Sequence, residues 1–144
     1  MNTWAIRFSF LLVSAFLVQC GTVQPVRSER EQFKEVYISQ FKLTYFRKIL
    51  AAGFNHSEAV KDLIRFDRSG FTEPVLSEHD YRLIDSLVYL DNQYMVKDSA
   101  SSIGTVAEGA QGKHVLGYIL NRLESKWLDR LATRRYKQSG RKGF

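Results

Sequence analysis

The run SEREQFKEVYISQFKLTYFRKILAAG, residues 28–53, decides the fold class. Its apolar side chains Phe33, Val36, Tyr37, Phe41, Tyr45, Ile49 and Ala52 recur at spacings of three and four. That is the period of a helix with one face turned to a core. Leu43, Phe46 and Leu50 widen the stripe, so neighbours are expected on two sides and this is the central helix. Ser28 with Glu31 makes a capping box, in which each side chain satisfies an orphan backbone N–H of the other residue. Gly53 is the expected stop.

Towards the C-terminus, Asn55 and Glu58 are expected to cap a shorter helix that ends near Phe66 and has Ala59, Leu63 and Phe66 as its apolar edge. Ser77 with Asp80 opens a third helix, which carries Tyr81, Ile84, Leu87, Val88, Tyr94 and Met95 and ends near Lys97, before a loop at 98–102. A last helix begins between Ile103 and Lys113 and runs to about Lys137 through Leu116, Ile119, Leu120, Leu123, Trp127, Leu131 and Ala132. Gly104, Gly109, Gly112 and Gly117 weaken its first turns and would let it approach the first helix closely. No stretch after Cys20 sustains the two-residue alternation of a strand. The expected fold is all-α: a compact bundle of four or five helices, one domain over residues 28–138, then a basic flexible tail at 139–144.

Towards the N-terminus the composition changes. Arg7 precedes an uncharged apolar run at 8–18, followed by Gln19, Cys20 and Gly21. A helix of that length covers about half of a bilayer core of roughly 30 Å, which suits the apolar region of a signal peptide better than a membrane span. The other reading is a buried N-terminal helix, but no polar face alternates with Phe8, Leu11, Leu12, Val13, Phe16, Leu17 and Val18. Leu17-Val18-Gln19-Cys20 is similar to the lipobox of bacterial lipoproteins, with Gln19 where that pattern has a small residue. The resemblance implies a lipoprotein signal peptide over 1–19, a diacylglycerol on the Cys20 sulfur, a linker over 20–27, and a place in the cell envelope, membrane-anchored and facing the periplasm. Ordinary signal cleavage is the alternative. Cys20 is the one cysteine, so no internal disulfide is available and the core alone must hold the fold.

The formal charge of +6 is unevenly placed. Between Cys20 and Leu131 basic and acidic residues balance, whereas Arg134, Arg135, Lys137, Arg141 and Lys142 follow with no acid among them. A neutral body argues against nucleic acid as a partner. A basic tail can lie on an anionic membrane, or it can be a solvated helix end with favourable dipole contacts.

Catalytic signatures are missing. His56, His79 and His114 have no zinc-ligand spacing, there is no Gly-x-Ser-x-Gly elbow, and the glycines at 104–117 lack the context of a phosphate loop. Ser77, His79 and Asp80 are explained by helix capping. Asp67 and Glu73 could act as paired carboxylates on a glycan. Each has a basic neighbour in Arg65 or Arg68, however, and an ion pair that shapes the loop is the expected use. The chain is therefore read as no enzyme, with no cofactor and no metal.

What remains is the break at 67–74 between two helical patterns. Asp67, Arg68, Ser69, Phe71 and Glu73 form the candidate partner-binding set, with Phe71 either folded back on the core or exposed as an anchor. Asp67, Ser69, Gly70 and Glu73, together with Leu123, Ser125, Leu128, Asp129 and Leu131, resemble the immunity proteins that neutralise type VI secretion amidase effectors. That resemblance implies a periplasmic inhibitor, a helical homodimer that pushes a loop into the active-site cleft of a peptidoglycan amidase. The alternatives are a structural envelope lipoprotein whose tail contacts membrane or peptidoglycan, and, behind it, an envelope hydrolase. Growth with a tagged fatty acid is expected to label the wild-type chain and to leave Cys20→Ser unlabelled; equal labelling of the two would refute the lipobox reading.

Overall fold

Ser28 opens the first helix as the sequence predicts: its hydroxyl accepts from the Glu31 backbone N–H while the Glu31 carboxylate accepts from its own. This helix, α1 (Glu29–Gly53), is followed by α2 (Glu58–Phe66), α3 (Glu78–Ser101), α4 (Val115–Glu124) and α5 (Lys126–Ser139). The computed structural model describes residues 27–105, 107 and 111–140, and among these there is no strand. The leader at 1–19, Cys20 and the basic residues Arg141 and Lys142 lie outside the described residues.

Side-chain pairs fix how the helices run. Asp67 beside Arg47 and Gly70 beside Gln40 and Leu43 show that α2 and the segment after it travel back along α1. α3 then runs parallel to α1, with Asp80 level with Tyr37 and Asp91 level with Tyr45. α4 starts beside Gly53, and α5 ends with Tyr136 packed at a tilt against Phe33 and Tyr37, so this pair descends antiparallel to α1. The apolar stripe of α1 is the centre of the core: Tyr37, Phe41, Tyr45 and Ile49 are wholly buried. Ile84, Met95, Ile119, Leu128 and Ala132 close around it.

Two buried carboxylates tie α3 to its neighbours. Asp80 is fully buried. It accepts from the Ser77 backbone N–H and hydroxyl at 2.9 and 2.7 Å, and from the Arg135 guanidinium at 2.9 and 3.1 Å. Burial alone would raise its pKa, but Ser77, Arg135 and Tyr37 together hold it below the usual carboxylate range. Asp91 accepts from the hydroxyls of Tyr45 at 2.6 Å and Tyr118 at 2.7 Å, and from Arg122 at 3.1 and 3.3 Å. Burial, then the bond to Asp91, pushes both phenols well above their ordinary range, so they stay protonated donors.

Several expectations are corrected. α1 does stop at Gly53 as expected, but Gly53 is itself helical and not in a left-handed turn, and a Cβ there would sit 2.5 Å from Val115 Cγ1. The close approach between the first and last helical segments is thus made by Gly53, while Gly117 faces open space. Asn55 and Glu58 form no cap, because Asn55 and His56 take left-handed φ values of 53° and 54° and Ser57 stands at the N-cap. The Asn55 side chain instead accepts from Lys113 at 2.8 Å. α3 runs through 98–101, where a loop was expected, since its serines bond back to carbonyls three residues earlier without breaking the helix. The expected last helix is two, split at Ser125, whose backbone is extended. There the Ser125 hydroxyl donates to the Arg122 carbonyl at 2.8 Å, and Arg122 stacks 3.8 Å from the Trp127 ring centroid. Tyr81, Tyr94, Leu116 and Leu120, assigned to core stripes, are exposed. Ser139, expected in the tail at 139–144, is the last residue of α5, and Arg135 points inward, while 141–144 lie outside the described residues.

Arg135→Ala leaves the Asp80 charge buried without its partner and is expected to cost about 3 kcal/mol in urea unfolding, against about 0.5 kcal/mol or less for exposed Arg134→Ala. Because the folded pKa of Asp80 is depressed, its contribution is present above the unfolded value of about 3.9 and is lost as pH falls through the lower folded value. The wild-type advantage over Asp80→Asn should therefore shrink in acid; a difference that grows as pH falls would contradict this.

Candidate functional site

Between α2 and α3 the chain is non-helical for residues 67–77, and three contacts fix its course. At the near end the Asp67 carboxylate receives Arg47 of α1 at 2.7 and 3.2 Å through one oxygen. Its other oxygen accepts the Ser69 backbone N–H at 3.0 Å and hydroxyl at 2.6 Å, an Asx-type turn. Arg47 also reaches the Ser69 carbonyl at 2.6 Å, so one guanidinium bridges α1, Asp67 and the loop backbone. In the middle, Gly70 adopts φ +108°, and a Cβ there would meet Leu43 Cδ2 at 2.8 Å and the Gln40 amide at 3.1 and 3.2 Å. Only glycine supplies both that dihedral and that proximity. At the far end Val75 and Leu76 are buried in the core.

Pinned this way, the loop exposes its centre. Phe71 is 46% exposed, and Arg68 and Glu73 are exposed with no ion pair among the described residues. The sequence-derived set therefore separates by role. Asp67 and Ser69 shape the loop, whereas Arg68, Phe71 and Glu73 face outward. The Asp67 partner is Arg47, not the adjacent Arg65 or Arg68; Arg65 pairs with Asp62. It is Val75 and Leu76, not Phe71, that fold back on the core.

Sequence reading missed two features. Leu63 and Phe66 of α2, expected at a core edge, are each 68% exposed, and α2 has no buried residue. The second is a groove of about 620 Å³ between α1, α2 and α3. Ala51, Ala52, Ile64 and Val88 give it an apolar floor; Arg47, Lys48, His56, Lys61 and Arg65 outnumber its one acid, Asp85. Asn92 is among its lining residues, and its Oδ1 atom is buried without a hydrogen-bond partner among the described residues. The signal for the first was the helical phase of Leu63 and Phe66. Nothing local in the sequence announces the groove, because its walls come from three helices. Arg47 belongs to both groove and loop, which makes them one continuous face.

This face can hold an apolar side chain or chain segment; the four Lys and Arg side chains along it are already paired, with Asp67, Asp85, Glu58 and Asp62. No three His, Cys, Asp or Glu side chains gather as a metal site among the described residues. The bonds from Ser69 and then Arg47 bring the Asp67 pKa down to about 2. An NMR titration of its carboxyl carbon is expected to show that midpoint, and Ser69→Ala should move it up towards the ordinary value of about 3.9. An unchanged midpoint in the variant would remove Ser69 from this role. No protein-family model matches the chain, and no curated protein or solved structure matches it.

Proposed function

We propose that the protein is an envelope binding module, tethered through a lipid on Cys20, which inhibits a protein partner by inserting the exposed part of the loop, residues 67–73; the resembled immunity proteins make a peptidoglycan amidase the candidate partner. The observation that supports this reading is the fixed course of the loop. Asp67 is clamped to α1, Gly70 is seated against Gln40 and Leu43, and Val75 and Leu76 are buried, so Arg68, Phe71 and Glu73 are displayed with little conformational freedom left to lose. A loop ordered beforehand avoids much of the entropy cost of association, which makes a short segment an effective plug.

The neighbouring surface suits the task. Leu63 and Phe66 extend the apolar area beside the loop, and Arg65 lies 5.0 Å from the Phe66 ring centroid. Arginine and aromatic side chains flanked by polar groups are the composition in which binding energy concentrates. In this reading no residue of the chain performs chemistry. Arg68, Phe71 and Glu73 make contact, and Asp67, Ser69, Gly70 and Arg47 position them.

In titration calorimetry against candidate secreted amidases, Phe71→Ala is expected to weaken binding about thirtyfold, the equivalent of about 2 kcal/mol. Gly70→Val, which displaces the whole segment, should weaken it at least as much, with core stability followed separately by circular dichroism. Failure to bind any such amidase, with Phe71→Ala and Glu73→Ala fully protective in a toxin-challenge assay, would eliminate the proposal.

A further inference from the structure

The bundle divides the C-terminal basic residues in a way that residue counting does not reveal. Arg135 turns inward to Asp80. Lys126, Arg130, Arg134 and Lys137 project from the opposite side of α5 to buried Leu128, Ala132 and Tyr136, and with Asp129 and Thr133 they line one shallow depression. All four are exposed, and none makes an ion pair among the described residues. Asp129, the one acid on that face, is held by Lys42 at 2.8 Å. Exposed cations elsewhere are commonly balanced, as in Arg27–Glu35, Lys61–Glu58, Arg65–Asp62 and Arg82–Glu78. The α5 face is thus a concentrated, uncompensated positive stripe, about 16 Å long at a helical rise of 1.5 Å per residue.

Its position matters as much as its charge. Tyr136 packs on Phe33 and Tyr37 with ring centroids at 6.1 and 5.5 Å, and its hydroxyl lies 3.5 Å from the Arg30 carbonyl. The C-terminal end of the basic face, at Arg134 and Lys137, therefore shares one end of the bundle with the start of α1, and the face runs from there up beside α1 to the level of Lys42, which holds Asp129. Between Cys20 and Arg27 the chain can span at most about 25 Å at roughly 3.5 Å per residue. A lipid on Cys20 would hold this end within reach of the headgroups, a step that rests on the tether proposed above.

We propose that the α5 face formed by Lys126, Arg130, Arg134 and Lys137 docks on the phosphate headgroups of an anionic phospholipid bilayer. Each cation near such a surface contributes about fivefold in partitioning, so four together give about two to three orders of magnitude. Arg135 takes no part, since it is spent on Asp80.

The test uses the full-length Cys20→Ser chain, which cannot be acylated, and co-sedimentation with vesicles of phosphatidylcholine alone or enriched in phosphatidylglycerol. The apolar leader partitions into both kinds, so the difference between them reports the charged face. A preference for the anionic vesicles is expected, weakening at high salt. The combined variant Lys126→Gln, Arg130→Gln, Arg134→Gln, Lys137→Gln should abolish it with the thermal transition unchanged, because none of the four is in the core. Lys61→Gln with Arg65→Gln, two cations removed elsewhere, should leave it nearly intact. The inference is overturned if the wild-type face shows no preference, if the fourfold variant keeps it, or if the α2 variant loses as much. Retention on purified sacculi without any lipid preference also overturns it, in favour of a glycan ligand. Absent fatty-acid labelling in cells with the preference intact removes the tether and leaves this face standing.

Discussion

Asp80 and Asp91 place two negative charges on the core side of α3, where an isolated carboxylate would be strongly unfavourable. Each is answered from two directions at once. Tyr37 of α1 and Arg135 of α5 meet Asp80; Tyr45 of α1 with Tyr118 and Arg122 of α4 meet Asp91. Because losing a donor leaves a buried charge less well paired, the two clusters act as registers. They set α3 parallel to α1 and fix how far α4 and α5 descend beside it. Hydrophobic burial drives the association of these helices, but it is indifferent to sliding by a turn. The paired charges are not.

That fixed frame is what makes the loop at 67–77 a defined object. Arg47, Gln40 and Leu43, which seat it, are on α1, and Val75 and Leu76 enter the core where α3 begins. With α1 and α3 locked in register by their shared carboxylates, the two ends of the loop are held a set distance apart. Exposure of Phe71 is then a consequence of geometry, since the residues on both sides of it are already committed. α2 is a contrast: strongly amphipathic and yet without a buried residue, it contributes one wall of a groove and a displayed apolar edge.

The surface reading and the core reading are linked through arginine. Of the basic residues after Leu131 that the structure describes, Arg135 completes the core, and Arg134 and Lys137 join Lys126 and Arg130 in a stripe facing away from it. Residues distinguished in the sequence only by composition become a helix with one arginine turned into the core and a basic face turned away from it. Loop and stripe are different surfaces, and the two proposals made for them are independent in their residues.

The sequence by itself determined what depends on neighbours within about four residues. The apolar period of α1, the capping boxes Ser28–Glu31 and Ser77–Asp80, the break after Phe66 and the all-helical class are local matters of backbone donors and one-sided apolar spacing, and all are found. The candidate loop was legible for the same reason, as a run unable to continue a helix. Tertiary structure decided whatever depended on which helix lies opposite. Gly53 reads only as a terminator, which it is, and its second use, the close approach of Val115, is seen only in the bundle; Asp67 has Arg65 and Arg68 for sequence neighbours, but Arg47 arrives from another helix. Leu116 and Leu120 obey the core period yet stay exposed, because a repeat in sequence fixes a face and not what covers it. Asp91 and Arg135 give no local sign of burial, since their partners are separated from them by tens of residues and meet only when the bundle closes.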